Sequence, residues 1–379
     1  MDEVTRGWLM YQLTNSAVQL GLVLGIQAIP ILFLSPLAGS IADRYSRKAQ
    51  VIWAQIMSGF LYVLTALLVY SAWIKPWHLY VTAFFMAVFQ TFIQPARTSM
   101  ISEAVPLTCL TNAIGLNTLV WNMARSTGPA LSGVLIAAFG IGNAYSIQAV
   151  LFFLATYFTV LLSPALSFSS DAGSRSIHRE SLGQSIIEGW RFSWRNEVVR
   201  VGLLTVAVVC LFIIPFRTLL PIFARDILNI GSSGQGLLLA AMGIGALFSS
   251  VLVAAIGDKL PRGKLMLGSV TLYGFIVIIF AFSRWFQLSL VMMGIAGILH
   301  VLSYSLVQTV VQSYSPSEFR GRTTALFNMS QVVMTTGCIL IGALSSLWGA
   351  RWAITSMGIV GMLTIFIVYV AMPKARLIR

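Results

Sequence analysis

Charge is what this sequence has least of. Asp, Glu, Lys and Arg together make up 9% of its 379 residues, where a soluble domain carries about 25%. So sparse a charged coat excludes a water-soluble fold of this size. Lipid needs no such coat, and the 58% apolar content points to a membrane protein. Cysteine and histidine are scarce as well. Cys109, Cys210 and Cys338 lie far apart without a CxxC pair, and His78, His178 and His300 are equally scattered. The cysteines read as buried free thiols, and no metal site can be assembled from neighbours. No Walker loop, nucleophile motif or His/Asp cluster is present, which sets an enzyme and a bound cofactor aside. Asp2 and Glu3 stand where a cleaved signal peptide would be positive, so none is expected.

What is present is a succession of apolar runs, each close to the roughly 20 residues a spanning helix needs. They begin near Val18, Ala49, Trp77, Asn112, Gly142, Val198, Ser233, Lys264, Trp285, Arg322 and Trp352, which makes eleven full spans. The net charge is +13, from 24 Lys and Arg against 11 Asp and Glu. In a soluble chain that would suggest a nucleic-acid partner. Here the basic residues sit in short loops, the pattern of topology signals, so no nucleic-acid role is expected. One set of alternate loops and the tail hold 17 of them and the other set 4, while Arg6, Arg125 and Arg217 fall inside apolar runs. The richer side is cytoplasmic by the positive-inside rule. The C-terminus therefore lies in the cytoplasm, the protein being multi-pass in the cell's inner (cytoplasmic) membrane. By parity, residues 1–14 read as the outer half of a first helix, N-terminally truncated; an external N-terminus is the alternative.

Two halves emerge around a polar centre. Residues 1–164 form an N-terminal six-helix half with an incomplete first helix, and residues 198–379 a C-terminal one. Between them, residues 165–197 are a cytoplasmic linker. Within it Leu182, Ile186 and Trp190 recur at i+4, while Ser185, Glu188, Arg191 and Arg195 are polar. This is an interfacial amphipathic helix, a solvated linker being the competing reading. IADRYSRK after one span answers IGDKLPRGK after another: Asp43 to Asp258, Arg44 to Lys259 and Arg47 to Arg262, all 215 apart. Gly128 and Gly133 answer Gly337 and Gly342 at a spacing of 209. Two repeated six-helix halves are a transporter architecture.

Gly39-Ser-Ile-Ala-Asp43-Arg44-Tyr-Ser-Arg47-Lys48 closely resembles the loop 2–3 signature of the major facilitator superfamily, with Ser46 where glycine is usual. Arg320-Gly-Arg322 resembles the matching loop between helices 10 and 11. QPARTSMISEAVP (94–106), NAIGLN (112–117) and ARSTGPALSG (124–133) resemble its enterobactin-exporter-like and macrolide-efflux-like branch. The resemblance covers nearly the whole chain. It implies an all-α fold of two six-helix halves and alternating access. It also implies a gating latch at Gly39, Asp43, Arg44 and Arg47, with a weaker second copy at Asp258 and Arg262. Physically, a carboxylate at a helix end can accept from a neighbouring helix start and pair with arginine; the competing reading is that these charges only fix topology. Gly128-Pro129 with Gly133 resembles the antiporter motif of the fifth helix and favours export. An ordinary kinked, tightly packed helix is the alternative.

Charges within the bilayer are functional candidates. Asp2 or Glu3 with Arg125 is the expected proton-coupling site, against a static ion pair bracing helices. Gln27, Asn117, His300, Gln308 and Asn328 are candidates for a substrate cavity, although intramembrane polar groups also serve as helix–helix hydrogen bonds. Arg217 is expected to snorkel to the outer interface. The sequence thus describes a monomeric secondary transporter in membrane lipid, exporting amphiphilic small molecules of drug or siderophore type, with protons as the counter-ion. An importer or facilitator on the same fold, or a non-functional truncated transporter, remain the alternatives.

Overall fold

The structure, a computed structural model, describes residues 1–34, 38, 46–105, 109–162, 182–256, 262–316 and 319–372. Among these, every regular element is helical. In lipid that follows from the backbone: each N–H and C=O must be paired within the segment, and a helix does so.

Ten helices among the described residues are long and apolar enough to span. One of the underlying helices, Leu110–Leu161, has 52 residues, which would reach about 78 Å if straight, more than twice the hydrocarbon core. Gly140 interrupts it with φ 82° and ψ 170°, a backbone geometry that glycine adopts without penalty. It is therefore two spans folded back on each other, and all eleven full spans read from the sequence are present.

In chain order the elements are α1 (Asp2–Thr14), α2 (Ala17–Gly25, its span continuing to Leu34), α3 (Arg47–Tyr70), α4 (Pro76–Ala104), α5 (110–139) and α6 (141–161). Then come α7 (Leu182–Arg195), α8 (197–227), α9 (Gly231–Ile256), α10 (Arg262–Phe282), α11 (Phe286–Ser313), α12 (320–348) and α13 (Ala350–Ala371). The turns repeat between the halves. Gly349, between α12 and α13, has φ 82° and ψ 160°, as Gly140 has between α5 and α6. Asn15, after α1, and Asn229, after α8, are both left-handed, with φ of 47° and 53°. These four turns mark one end of the bundle, called here the Asn/Gly end.

Within the first half α3 packs on α4 and α6; within the second, α10 packs on α11 and α13, and α9 on α11. The halves meet along two long seams, α5–α9 and α2–α12. Between the seams α1 is tied to its own half by buried polar contacts. The Thr5 and Ser132 hydroxyls lie 2.8 Å apart, and Gln148 Nε2 donates to Thr5 Oγ1 at 3.0 Å. Its counterpart α8 is irregular: a π-turn at Val209–Ile213 gives way to a 3₁₀ segment at Ile214–Leu219. Pro215 and Pro221 bracket this region and cannot donate to an α-ladder. The outer surface carries large exposed apolar side chains such as Phe248, Val251, Leu363 and Phe366, which lipid rather than water solvates.

Candidate functional site

The two seams are built on glycine. A Cβ added at Gly133 on α5 would lie 2.6 Å from the Ser232 carbonyl oxygen and 2.8 Å from the Gly236 Cα on α9. At the other seam, a Cβ at Gly342 on α12 would lie 2.6 Å from the Ala17 carbonyl and 3.3 Å from the Gly21 Cα on α2. The helices therefore touch backbone to backbone, as small residues permit. Both contacts lie toward the Asn/Gly end, so that end of the bundle is closed. Gly21 and Gly236 are 215 residues apart and Gly133 and Gly342 are 209 apart, which makes the two seams copies of one contact.

Between the seams, α1 and α8 carry charged side chains, of which Arg6 is buried and Glu3 half exposed. Asp2 pairs with Arg6 at 2.9 Å on α1, and the Arg6 side chain is 3% exposed. Tyr62 and Tyr145 complete the surroundings of this pair. Glu3 crosses to the other half, where Arg217 Nη2 donates to both its carboxylate oxygens at 3.1 Å. The 3₁₀ segment of α8 is what presents Arg217 there. Glu3 and Arg217 line a small open cleft, with room for about a water molecule, together with Thr218, Gln235 and the apolar Leu20 and Leu239. Gln235 is 2% exposed, and its Oε1 has no hydrogen-bond donor among the described residues. A buried acceptor left unpaired costs free energy, so a donor in this cavity would be stabilised.

A second cross-half contact closes the bundle nearer the Asn/Gly end. The Tyr11 hydroxyl donates to Asp226, and Arg225 Nη1 donates to Asn15 Oδ1 at 2.8 Å. The Arg225 guanidinium also lies over the Tyr11 ring, 5.4 Å from its centroid.

The residues singled out in the sequence fall in several places. Asp2 and Glu3 reach separate partners, Arg6 and Arg217; Arg217, expected to snorkel outward, instead turns inward to Glu3. Arg125 lies within α5, but its side chain falls outside the described residues, as do Gly39, Asp43, Arg44 and Asp258. Arg47 and Arg262 open α3 and α10. Beside Arg47, Lys48 caps the end of α6, donating to the Val160 and Leu162 carbonyls at 2.8 and 2.6 Å. Gly128 lies beside the first residue of the chain, and the Pro129 carbonyl faces Gly236 across the seam. Asn117 accepts from Arg97 at 3.0 Å. Gln27 donates weakly to Val23 of its own helix, at 3.5 Å. His300 sits between Tyr273 and Tyr304 inside the second half, while Gln308 and Asn328 are exposed. Cys210 and Cys338 are buried as expected, but Cys109 is exposed, since it caps the start of α5 in a loop. The sequence reading missed Gln235, Gly236 and the Tyr11–Asp226 contact. The 215-residue repeat, extended from Gly21, would have found Gly236.

A lipid-solvated bundle of two repeated halves, meeting at glycine seams around a charged polar cavity, defines a membrane transporter and not an enzyme. The profile of the transmembrane secretion effector family, within the major facilitator superfamily, matches residues 1–377, and the chain belongs to that family. It is 29% identical over 347 residues to the uncharacterized MFS-type transporter YfiS of Bacillus subtilis (strain 168), covering 87% of this chain and 78% of YfiS. It is 24% identical over 377 residues to the multidrug efflux pump Tap of Mycolicibacterium fortuitum, covering 97% and 90% of the two chains. Among solved structures, the fold is similar to a bacterial homolog of the human lysosomal transporter Spinster in an inward-facing, occupied conformation. That match has a TM-score of 0.71 at 16% identity, covering 99% of this chain and 94% of the other. The protein is thus a multi-pass secondary transporter for small molecules.

Proposed function

We propose that this chain exports amphiphilic small molecules, of drug or siderophore type, by alternating access coupled to proton antiport. The observation that carries this reading is the Glu3–Arg217 pair, which joins the halves at 3.1 Å and lines the cavity between them. A proton taken up by Glu3 removes the charge that holds Arg217. A cationic or hydrogen-bond-donating substrate that engages Glu3 and the open Gln235 acceptor competes with that proton. Proton and substrate then occupy the site in turn, which is the exchange that antiport requires. The pair in this reading is Glu3 with Arg217, and Asp2 braces Arg6; the expected partnership of Asp2 or Glu3 with Arg125 lies outside the described residues. The resemblance of 124–133 to the antiporter motif supports export, and so does the likeness to Tap.

In this reading the Asn/Gly end faces outward and the C-terminus lies in the cytoplasm. The latch of Gly39, Asp43, Arg44 and Arg47, with Asp258 and Arg262, closes the opposite end when the seams open. The chain acts as a monomer.

The test uses the protein reconstituted in liposomes, with an amphiphilic dye and an imposed pH gradient. Wild-type protein should move the dye against its gradient in exchange for protons. Glu3→Gln should abolish gradient-driven movement while dye–dye exchange persists. Full gradient-driven transport by Glu3→Gln would overturn the coupling role. Dye movement unaffected by the gradient in wild-type protein would favour a facilitator.

A further inference from the structure

The linker helix α7 is amphipathic in a way the transport site does not use. One side is docked on the protein. The Phe192 ring stacks on Phe319 at 4.6 Å, and Arg322 Nη1 donates to Glu188 at 2.5 Å. Ser193 is 3% exposed, and Asn196, just after the helix, donates to the Tyr314 carbonyl at 3.3 Å. These partners lie on the α11–α12 connection and the start of α12. At about 100° per residue, the far side of α7 carries Trp190 and Trp194, which stack on each other at 5.7 Å. They are 58% and 52% exposed. Arg191 flanks this stripe and Arg195 lies at the edge between it and the docked side; both are exposed and without an ion-pair partner among the described residues.

The adjoining span fixes the level of this face against the bilayer. That span, α8, begins at Glu197, two residues beyond the end of α7. Arg200, one turn into it, donates to the Trp194 carbonyl at 3.2 Å and lies over its ring. Tryptophan at the edge of a span belongs to the headgroup layer, and a guanidinium beside it matches phosphate in a bidentate fork. Neutral lipid would satisfy the tryptophans but not two unpaired positive charges.

We infer that the outer face of α7 is a docking surface for anionic phospholipid, with Trp190 and Trp194 in the headgroup–acyl boundary and Arg191 and Arg195 on the lipid phosphates. The inference is independent of the coupling mechanism, since it needs only the position of α7 beside the bilayer.

The test places the full chain in nanodiscs of phosphatidylcholine with a minor fraction of brominated phosphatidylglycerol, or of brominated phosphatidylcholine. Bromine quenches nearby tryptophan, and subtracting a W190F/W194F chain isolates the emission of this pair. Brominated phosphatidylglycerol should quench it at several-fold lower lipid fraction, about fivefold for each arginine engaged. R191Q/R195Q should lose that preference and R191K/R195K should keep most of it. Equal quenching by the two lipids in the wild-type chain would overturn the anionic site. So would a preference that persists in R191Q/R195Q. Absence of quenching by either lipid would place the helix in water or against another protein, and would overturn the inference entirely.

Discussion

Gly133→Ala tests whether the glycine seams set the conformational equilibrium. The added methyl would sit 2.6 Å from the Ser232 oxygen and 2.8 Å from the Gly236 Cα, where ordinary contact begins at 3.4 Å. Both obstacles are backbone and cannot rotate aside, so α5 and α9 must part by about 0.6–0.8 Å. Overpacking of this kind costs about 1–3 kcal/mol. Alanine also favours a helix over glycine by up to about 1 kcal/mol, but that gain is present whichever end is closed. It cancels in the equilibrium between the two states, and the clash does not. The population closed at the Asn/Gly end should therefore fall about 5- to 150-fold relative to the alternative. Spin labels at Trp73 and Trp285, both highly exposed in loops at that end and in opposite halves, would read the separation by pulsed electron resonance, with Cys109 replaced by serine. The distribution should shift to longer distances, and Gly342→Ala should do the same through the other seam. Gly268→Ala on α10 is the control, because its Cβ would meet nothing within 4 Å. An unchanged distribution in Gly133→Ala, with transport at wild-type rate, would refute the idea that this contact gates the bundle.

Asp2→Asn should cost stability more than transport. It strips the counter-ion from Arg6, whose side chain is 3% exposed, and leaving a buried charge uncompensated costs about 3–5 kcal/mol; thermal unfolding in detergent should show a clear loss, and wild-type unfolding would mean another group neutralises Arg6. Asp226→Asn removes a charged acceptor from Tyr11 in a contact that is 45% exposed on the Asp226 side, so the loss should be smaller, about 1 kcal/mol. Faster amide exchange at Asn15 and Asn229 would report that the Asn/Gly end opens more often.

The architecture was legible because it depends on averages. Spans, their number and the repeat offset need only apolar runs and recurring loops, and no single residue decides them. Even the split of residues 110–161 into two spans follows from length alone, with Gly140 as its local cause. The charged site was half legible. A carboxylate in an apolar run marks itself as a candidate, so Asp2 and Glu3 stood out. Their partners did not, because pairing depends on which helices cross and at what height. The proline-bracketed 3₁₀ segment turns Arg217 inward, a backbone irregularity that hydropathy cannot register. Gln235 was invisible for a similar reason. One glutamine among small residues says nothing until its Oε1 is found buried and unpaired.

The repeat explains where the cross-half charges sit. Glu3 and Arg217 are 214 residues apart, and Tyr11 and Asp226 are 215 apart, within one residue of the 215 that separates Gly21 from Gly236. Each pair therefore joins positions that are equivalent, or nearly so, in the two halves. On an exact two-fold axis a residue meets its own copy. A glutamate would face a glutamate there, and a tyrosine a tyrosine. The glycine seams lie off the axis and tolerate exact repetition, which is why both keep glycine at equivalent positions. The axis does not tolerate it, and there equivalent or nearly equivalent positions carry complementary groups: carboxylate against guanidinium, phenol against carboxylate. The halves thus differ where α1 meets α8, and the polar cleft opens at that meeting point. A symmetric pair of halves could open and close on its seams. It would have no carboxylate–guanidinium pair joining the halves at its centre.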